Sequence, residues 1–143
     1  MHCLKGKCHC GNIRIDIELS KAPAEYAPRA CDCEFCRKHG ASYISDPHGS
    51  LRIEVMDSQR LGRYRQGSET AECLICTGCG VLVGVTYRDG ERLYATINSR
   101  AIDNDIGFGE ALSVSPKVLS ADEKIRRWKA LWFSNVTFVA NDA

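Results

Sequence analysis

Nine cysteines in 143 residues, eight of them gathered into three short stretches, constrain this chain more than anything else in it. The stretches are Gly6-Lys7-Cys8-His9-Cys10-Gly11, Cys31-Asp32-Cys33-Glu34-Phe35-Cys36-Arg37 and Cys73-Leu74-Ile75-Cys76-Thr77-Gly78-Cys79-Gly80. The count is odd, and most of these thiols lie two or three residues from another. Such neighbours rarely form unstrained disulfides, because the bond needs Cα atoms about 4.4–6.8 Å apart in a fixed dihedral. The segment from Met1 to Cys8 contains no apolar run that reads as a secretory signal. No stretch approaches the ~20 apolar residues that a membrane span needs. The expected compartment is therefore the reducing cytoplasm, where disulfides rarely persist and clustered thiols read first as metal ligands.

Zinc with Zn–S bonds near 2.3 Å holds tetrahedral sulfurs roughly 3.7 Å apart. A C-x-C at a curling strand end, or a C-x-x-C around a tight turn, can present two sulfurs at that separation. The first and third clusters together offer four thiolates, Cys8, Cys10, Cys76 and Cys79, and a closed site that clamps two distant parts of the chain. The middle cluster offers three, Cys31, Cys33 and Cys36. It is either an open three-ligand site, as catalytic zinc has, or a second structural site completed by a histidine or by Cys73. Cys3 and Cys73 read otherwise as ordinary packed or exposed thiols.

Between the clusters the pattern is mainly β. Ile13, Ile15, Ile17 and Leu19 alternate with polar residues, and Leu51, Ile53 and Val55 repeat the alternation. Val81–Tyr87 and Leu93–Ile97 predict a pair of strands around an Arg88–Glu91 turn, and further strands are expected at Ser42–Ser45, Leu61–Arg65 and Thr70–Ile75. Helical spacing is confined to the C-terminal part. There Ser120-Ala121-Asp122-Glu123 is a capping box ahead of Ile125, Trp128, Leu131 and Trp132, a stripe expected to pack in the core. A net charge of +1, with lysines and arginines scattered among carboxylates, argues against nucleic acid or an anionic membrane as partner.

At the cysteine clusters the sequence resembles the glutathione-dependent formaldehyde-activating enzyme family, whose relatives include the centromere protein V domain. Three blocks match in order: G-x-C-x-C-G at Gly6–Gly11, C-x-C-x-x-C-R at Cys31–Arg37 and C-x-x-C-G at Cys76–Gly80. Ile75 stands where the family usually has Phe. The resemblance implies a β-tent of several small, twisted antiparallel sheets, here a single domain over residues 1–143 with its core at about 3–100 and a helical tail at about 116–143. It implies two zincs: a structural one on Cys8, Cys10, Cys76 and Cys79, and a labile, catalytic one on Cys31, Cys33 and Cys36. It also implies a carbon–sulfur lyase whose partners are a small thiol such as glutathione and a small aldehyde, formaldehyde, giving S-hydroxymethylglutathione.

Three thiolates on Zn²⁺ leave a net negative centre, which favours thiol exchange over hydrolysis. A proton donor for the nascent alkoxide is expected just beyond the middle cluster. His39 and Tyr43 lie there, and His39 reads first as a solvated loop residue. Arg37 and Lys38 are candidates for a substrate carboxylate, or Arg37 for a hydrogen bond to the sulfurs. The competing class is a non-enzymatic zinc module for protein–protein interaction.

Overall fold

The alternating isoleucines do what their period dictates. In the computed structural model, which describes residues 1–141, Ile13, Ile15, Ile17 and Leu19 are at most 1% exposed, while the polar residues between them face solvent. In chain order the elements are β1 (His2–Lys7), β2 (Ile13–Leu19), β3 (Arg29–Cys31), α1 (Glu34–His39), β4 (Tyr43–Ile44), β5 (Ser50–Val55), β6 (Leu61–Tyr64), β7 (Glu72–Cys76), β8 (Leu82–Asp89), β9 (Arg92–Asn98), β10 (Leu112–Val114), α2 (Ala121–Leu131) and β11 (Val136–Ala140).

The strands form two sheets, one ordered β1-β2-β5-β11 and the other β10-β3-β4-β9-β8-β7-β6. Neither closes into a barrel. The mainly β architecture with a C-terminal helix matches the expectation. The sheets are not wholly antiparallel, however. Each carries one parallel edge strand, β11 beside β5 and β10 beside β3. Both arrive by long returns of the chain, the kind of connection a parallel pair requires.

The buried rows of β2 and β5 meet Ile44, Leu74, Ala95, Ile97 and Phe133 in one core between the sheets. Leu74, Ala95 and Ile97 face that core. Cys73, Val85 and Thr96, which are consecutive cross-strand neighbours, form a row on the opposite face of the larger sheet. Successive side chains on a strand point to opposite faces, so one sheet serves the core on one side and a cavity on the other.

Across that second face lies α2, its capping box formed as expected: Glu123 N–H donates to Ser120 Oγ at 3.2 Å, and Ser120 N–H to Glu123 Oε1 at 3.1 Å. Trp128 and Trp132 are buried and stacked, ring centroids 5.0 Å apart. Ile125 is half-buried and Leu131 is exposed, so the apolar stripe is narrower than its spacing suggested. Past α2, Phe133 is fully buried and exchanges both backbone hydrogen bonds with Ala95 of β9, at 2.9 and 3.1 Å. The expected turn tightens to Gly90-Glu91, with Asp89 and Arg92 already paired. Among the described residues, no helix is long and apolar enough to cross a membrane.

The element the sequence concealed is α1. Its N-cap is a cysteine sulfur rather than a hydroxyl or carboxylate, Cys33 Sγ accepting from Cys36 N–H at 3.4 Å. Gly40, at φ +61°, ends it in the left-handed conformation.

Candidate metal centres and the cavity above them

The first and third clusters meet although 66 residues separate Cys10 from Cys76. Sγ of Cys10 is 3.8 Å from that of Cys8 and 3.5 Å from that of Cys76, and the four sulfurs of Cys8, Cys10, Cys76 and Cys79 all lie within 4.8 Å of one another. Two similar turns present them. Cys8 N–H donates to Ile13 O at 2.9 Å and Cys76 N–H to Val81 O at 3.1 Å, five residues on in each case. Gly11 and Gly80, both at φ +83°, supply a backbone conformation that other residues rarely adopt. Buried Asn12 braces the first turn, its Oδ1 accepting from Asp57 N–H at 2.8 Å and its Nδ2 donating to Asp57 O at 3.2 Å.

In the free thiols, burial raises Cys8 to about 11. Burial also opposes ionisation of Cys79, yet hydrogen bonds from the Cys10 and Val81 backbone and from neighbouring thiols bring it down to about 6. The sulfur spacings match a tetrahedral zinc, and the Ile13 N–H, 3.2 Å from Cys8 Sγ, is a donor suited to a thiolate. This cluster could hold zinc.

The middle cluster is built by β3 and α1. Cys31 ends the strand, Cys33 caps the helix and Cys36 lies one turn in, and their sulfurs lie within 4.8 Å of one another. Among the described residues no histidine, carboxylate or further cysteine joins the group. Cys73 is buried beside it but outside it, and Cys3 is exposed on β1. A hydrogen bond from Cys36 holds the Cys31 thiol down at about 6, and the same bond, with burial, pushes Cys36 up. The Tyr43 hydroxyl is 3.2 Å from Cys36 Sγ, and burial holds its phenol well above the usual range. Three sulfurs in this arrangement could also hold zinc, with a coordination position left to a small molecule.

The three cysteines line a cavity of about 220 Å³. Cys31, Cys33, Cys36 and Tyr43 lie at one end. The Cys73, Val85 and Thr96 row forms one wall, and Trp128 of α2 with Trp132 just past its end forms the other. Gln66, from the β6–β7 connection, reaches Cys33 Sγ at 4.0 Å.

A family model described as glutathione-dependent formaldehyde-activating enzyme matches residues 3–117. The chain belongs to that family. A solved structure of a Rhodobacter sphaeroides protein is similar at 31% identity, covering 71% of this chain and 90% of that chain with a TM-score of 0.53. No match is found among curated proteins.

The stretch matched by the glutathione-dependent formaldehyde-activating enzyme model extends past the C-terminal limit of about 100 expected from the cysteine blocks and stops just before α2. Of the residues expected to serve the reaction, Tyr43 lines the cavity, whereas His39 is exposed and lies tilted against Phe35. Arg37 and Lys38 are also exposed and border a separate surface dent, with Lys38 paired to Glu34 at 3.1 Å. Helix α1 points them outward because Cys36 takes its inner face. The cations inside the cavity are Arg29, Lys117, Lys124 and Arg127, none of which the cysteine motifs indicated. Helical spacing from Trp128 places Lys124 and Arg127 on the inner face of α2, the one signal that could have found them.

Proposed function

We propose that Cys31, Cys33 and Cys36 form the reaction centre of a carbon–sulfur lyase acting on a thiol–aldehyde adduct, and that Cys8, Cys10, Cys76 and Cys79 hold a structural zinc. The family's description supports glutathione and formaldehyde as the substrates, with S-hydroxymethylglutathione as the adduct. The observation that carries the reading is the contrast between the two centres. Four mutually close sulfurs form one, while three without a further protein ligand open onto a cavity at the other.

The thiol sulfur bonds to the carbonyl carbon, the C=O π pair moves to oxygen, and the proton lost by the thiol ends on that oxygen; the reverse reaction runs these events backward. Zinc held by the three cysteines would supply an acidified thiol and a Lewis acid for the oxygen. The Tyr43 hydroxyl, beside Cys36 and facing the cavity, is the group that gives the proton to the alkoxide and recovers it on reversal. Val85, Trp128 and Trp132 keep water from the carbonyl carbon. Reduced thiols are required throughout, as in a cytoplasmic setting.

The test is zinc content before and after incubation with glutathione and gel filtration. Two zincs per chain falling to one supports a thiol-accessible centre. A single zinc that never moves overturns the lyase reading in favour of a non-enzymatic module.

A further inference from the structure

Arg29 is a mostly buried cation with no carboxylate in ion-pair range among the described residues. Its Nη2 donates to Ser45 Oγ at 2.6 Å and to Thr96 Oγ1 at 3.4 Å. Both hydroxyls commit their own protons elsewhere, Ser45 to Leu131 O at 2.7 Å and Thr96 to Ile44 O at 3.1 Å. They offer Arg29 lone pairs only, and so fix the plane of its guanidinium. Its Nε–H and Nη1–H groups have no hydrogen-bond partner among the described residues, in a side chain that lines the cavity. Burial, reinforced by the nearby Arg127, pulls its pKa down to about 10.

Arg127 reaches the same cavity from α2, half-buried, with no carboxylate in ion-pair range among the described residues. Lys124, one turn earlier and also half-buried, is likewise unpaired. On the outer face of the same helix, Lys129 is satisfied by Asp89 at 2.6 Å. Two cations lining one cavity away from carboxylates favour the binding of an anion between them.

We propose that this cavity selects a thiol bearing a carboxylate, and that Arg29 and Arg127 bind that carboxylate while the sulfur reaches Cys31, Cys33 and Cys36. The proposal rests on the lyase reading of the cavity and adds the feature by which the substrate is recognised. Two planar forks suit a planar, two-oxygen acceptor. The cavity, about 220 Å³, has room for the sulfur, a short chain and one carboxylate. Of the two arginines, Arg29 lies within the stretch matched by the family and Arg127 lies beyond it, on α2.

Both tryptophans of the chain line this cavity, so their fluorescence reports on it alone. The purified protein is titrated at constant ionic strength with propionate, propionamide and inorganic phosphate, none of which carries a thiol. Propionate is expected to give a saturable change that Arg127→Met weakens roughly 10–100-fold and Arg127→Lys weakens less, because charged hydrogen bonds are worth about 1.5–3 kcal/mol. Propionamide is expected to give none. Equal binding of the amide, tighter binding of phosphate, or an affinity unchanged in Arg127→Met overturns the proposal. In turnover with formaldehyde, Arg127→Met should raise KM for glutathione by a much larger factor than KM for 2-mercaptoethanol. Carboxylate binding without turnover of any thiol would sink the lyase reading alone. Turnover indifferent to the carboxylate would sink this inference alone.

Discussion

Arg29 and Tyr43 are cross-strand partners, the pair through which β3 and β4 meet, and both side chains enter the same cavity. Two residues farther along β3, Cys31 projects to the same side as Arg29, as the strand period requires. One short strand pair thus delivers a cation, a phenol and a thiol to a single space.

The phenol is the first member of that trio to test. Tyr43→Phe keeps the buried ring and removes only the hydroxyl 3.2 Å from Cys36 Sγ. Loss of a positioned proton donor costs about 10²-fold in rate. The expected result is a kcat for adduct formation lowered by that order, with zinc content and melting temperature little changed. Steady-state kinetics beside elemental analysis decides it, and an unchanged kcat would reduce Tyr43 to a packing residue.

The two cysteine centres should respond oppositely to the same substitution. Cys76 is fully buried and joins β7 to the turn after β1, so Cys76→Ser removes a ligand from a clamp between distant segments. The melting temperature should fall by on the order of 10 °C, with zinc released on folding-competent timescales. Cys33→Ser alters a half-buried residue at a cavity edge and should abolish turnover while thermal unfolding stays within a few degrees of the parent. Differential scanning fluorimetry on both variants separates the roles. Equal destabilisation would remove the catalytic assignment of the middle cluster.

The cysteine centres were legible because their ligands are close in sequence: C-x-C, C-x-x-C and C-x-C-x-x-C announce themselves in any order of folding. The cavity was not, because its walls come from β3 and five further strands, α1, the β6–β7 connection and α2, whose juxtaposition is purely tertiary. Strands with one fully buried face, β2 and β5, carried a visible alternation. Strands β1 and β11 did not, being edges where only Gly6 among their residues is fully buried. The period-2 signal is a record of burial, and an edge strand with little burial writes almost none.

A buried carboxylate outside both centres predicts an acid-sensitive step. Asp46 is 4% exposed, and burial pushes its pKa up. Hydrogen bonds from the Ser20 hydroxyl at 2.6 Å, the Ser20 amide at 2.8 Å, the Tyr26 hydroxyl at 2.7 Å and the His48 amide at 2.9 Å outweigh this and hold it at about 2, below the ordinary 3.8. A carboxylate depressed in the folded state contributes stability that is complete above its unfolded pKa and lost as pH falls through the folded one. The contribution is about 2 kcal/mol at neutral pH, draining between about pH 4 and pH 2. Urea unfolding of the parent and Asp46→Asn as a function of pH should show a stability gap that is constant near neutrality and closes in that window. A gap independent of pH would mean that the hydrogen bonds matter but the charge does not.

The far end of α2 makes the last prediction, because it ties stability to the cavity. Phe133 is wholly buried in the main core, and its backbone is doubly bonded to Ala95, the residue preceding Thr96 in β9. Directly before it, Trp132 forms part of the cavity wall. Phe133→Ala leaves the backbone bonds in place but opens a void that the flanking isoleucines cannot fill, a change that costs about 3–5 kcal/mol in well-packed cores. If α2 is held against the sheet chiefly by this anchor, the loosened wall should also raise KM for the thiol. Phe133→Leu, which retains much of the volume, should recover most of both losses. Parallel measurement of urea midpoints and KM in the two variants tests the link. A large stability loss with KM unchanged would show that α2 is placed by the tryptophan stack and the Ser45–Leu131 hydrogen bond rather than by Phe133.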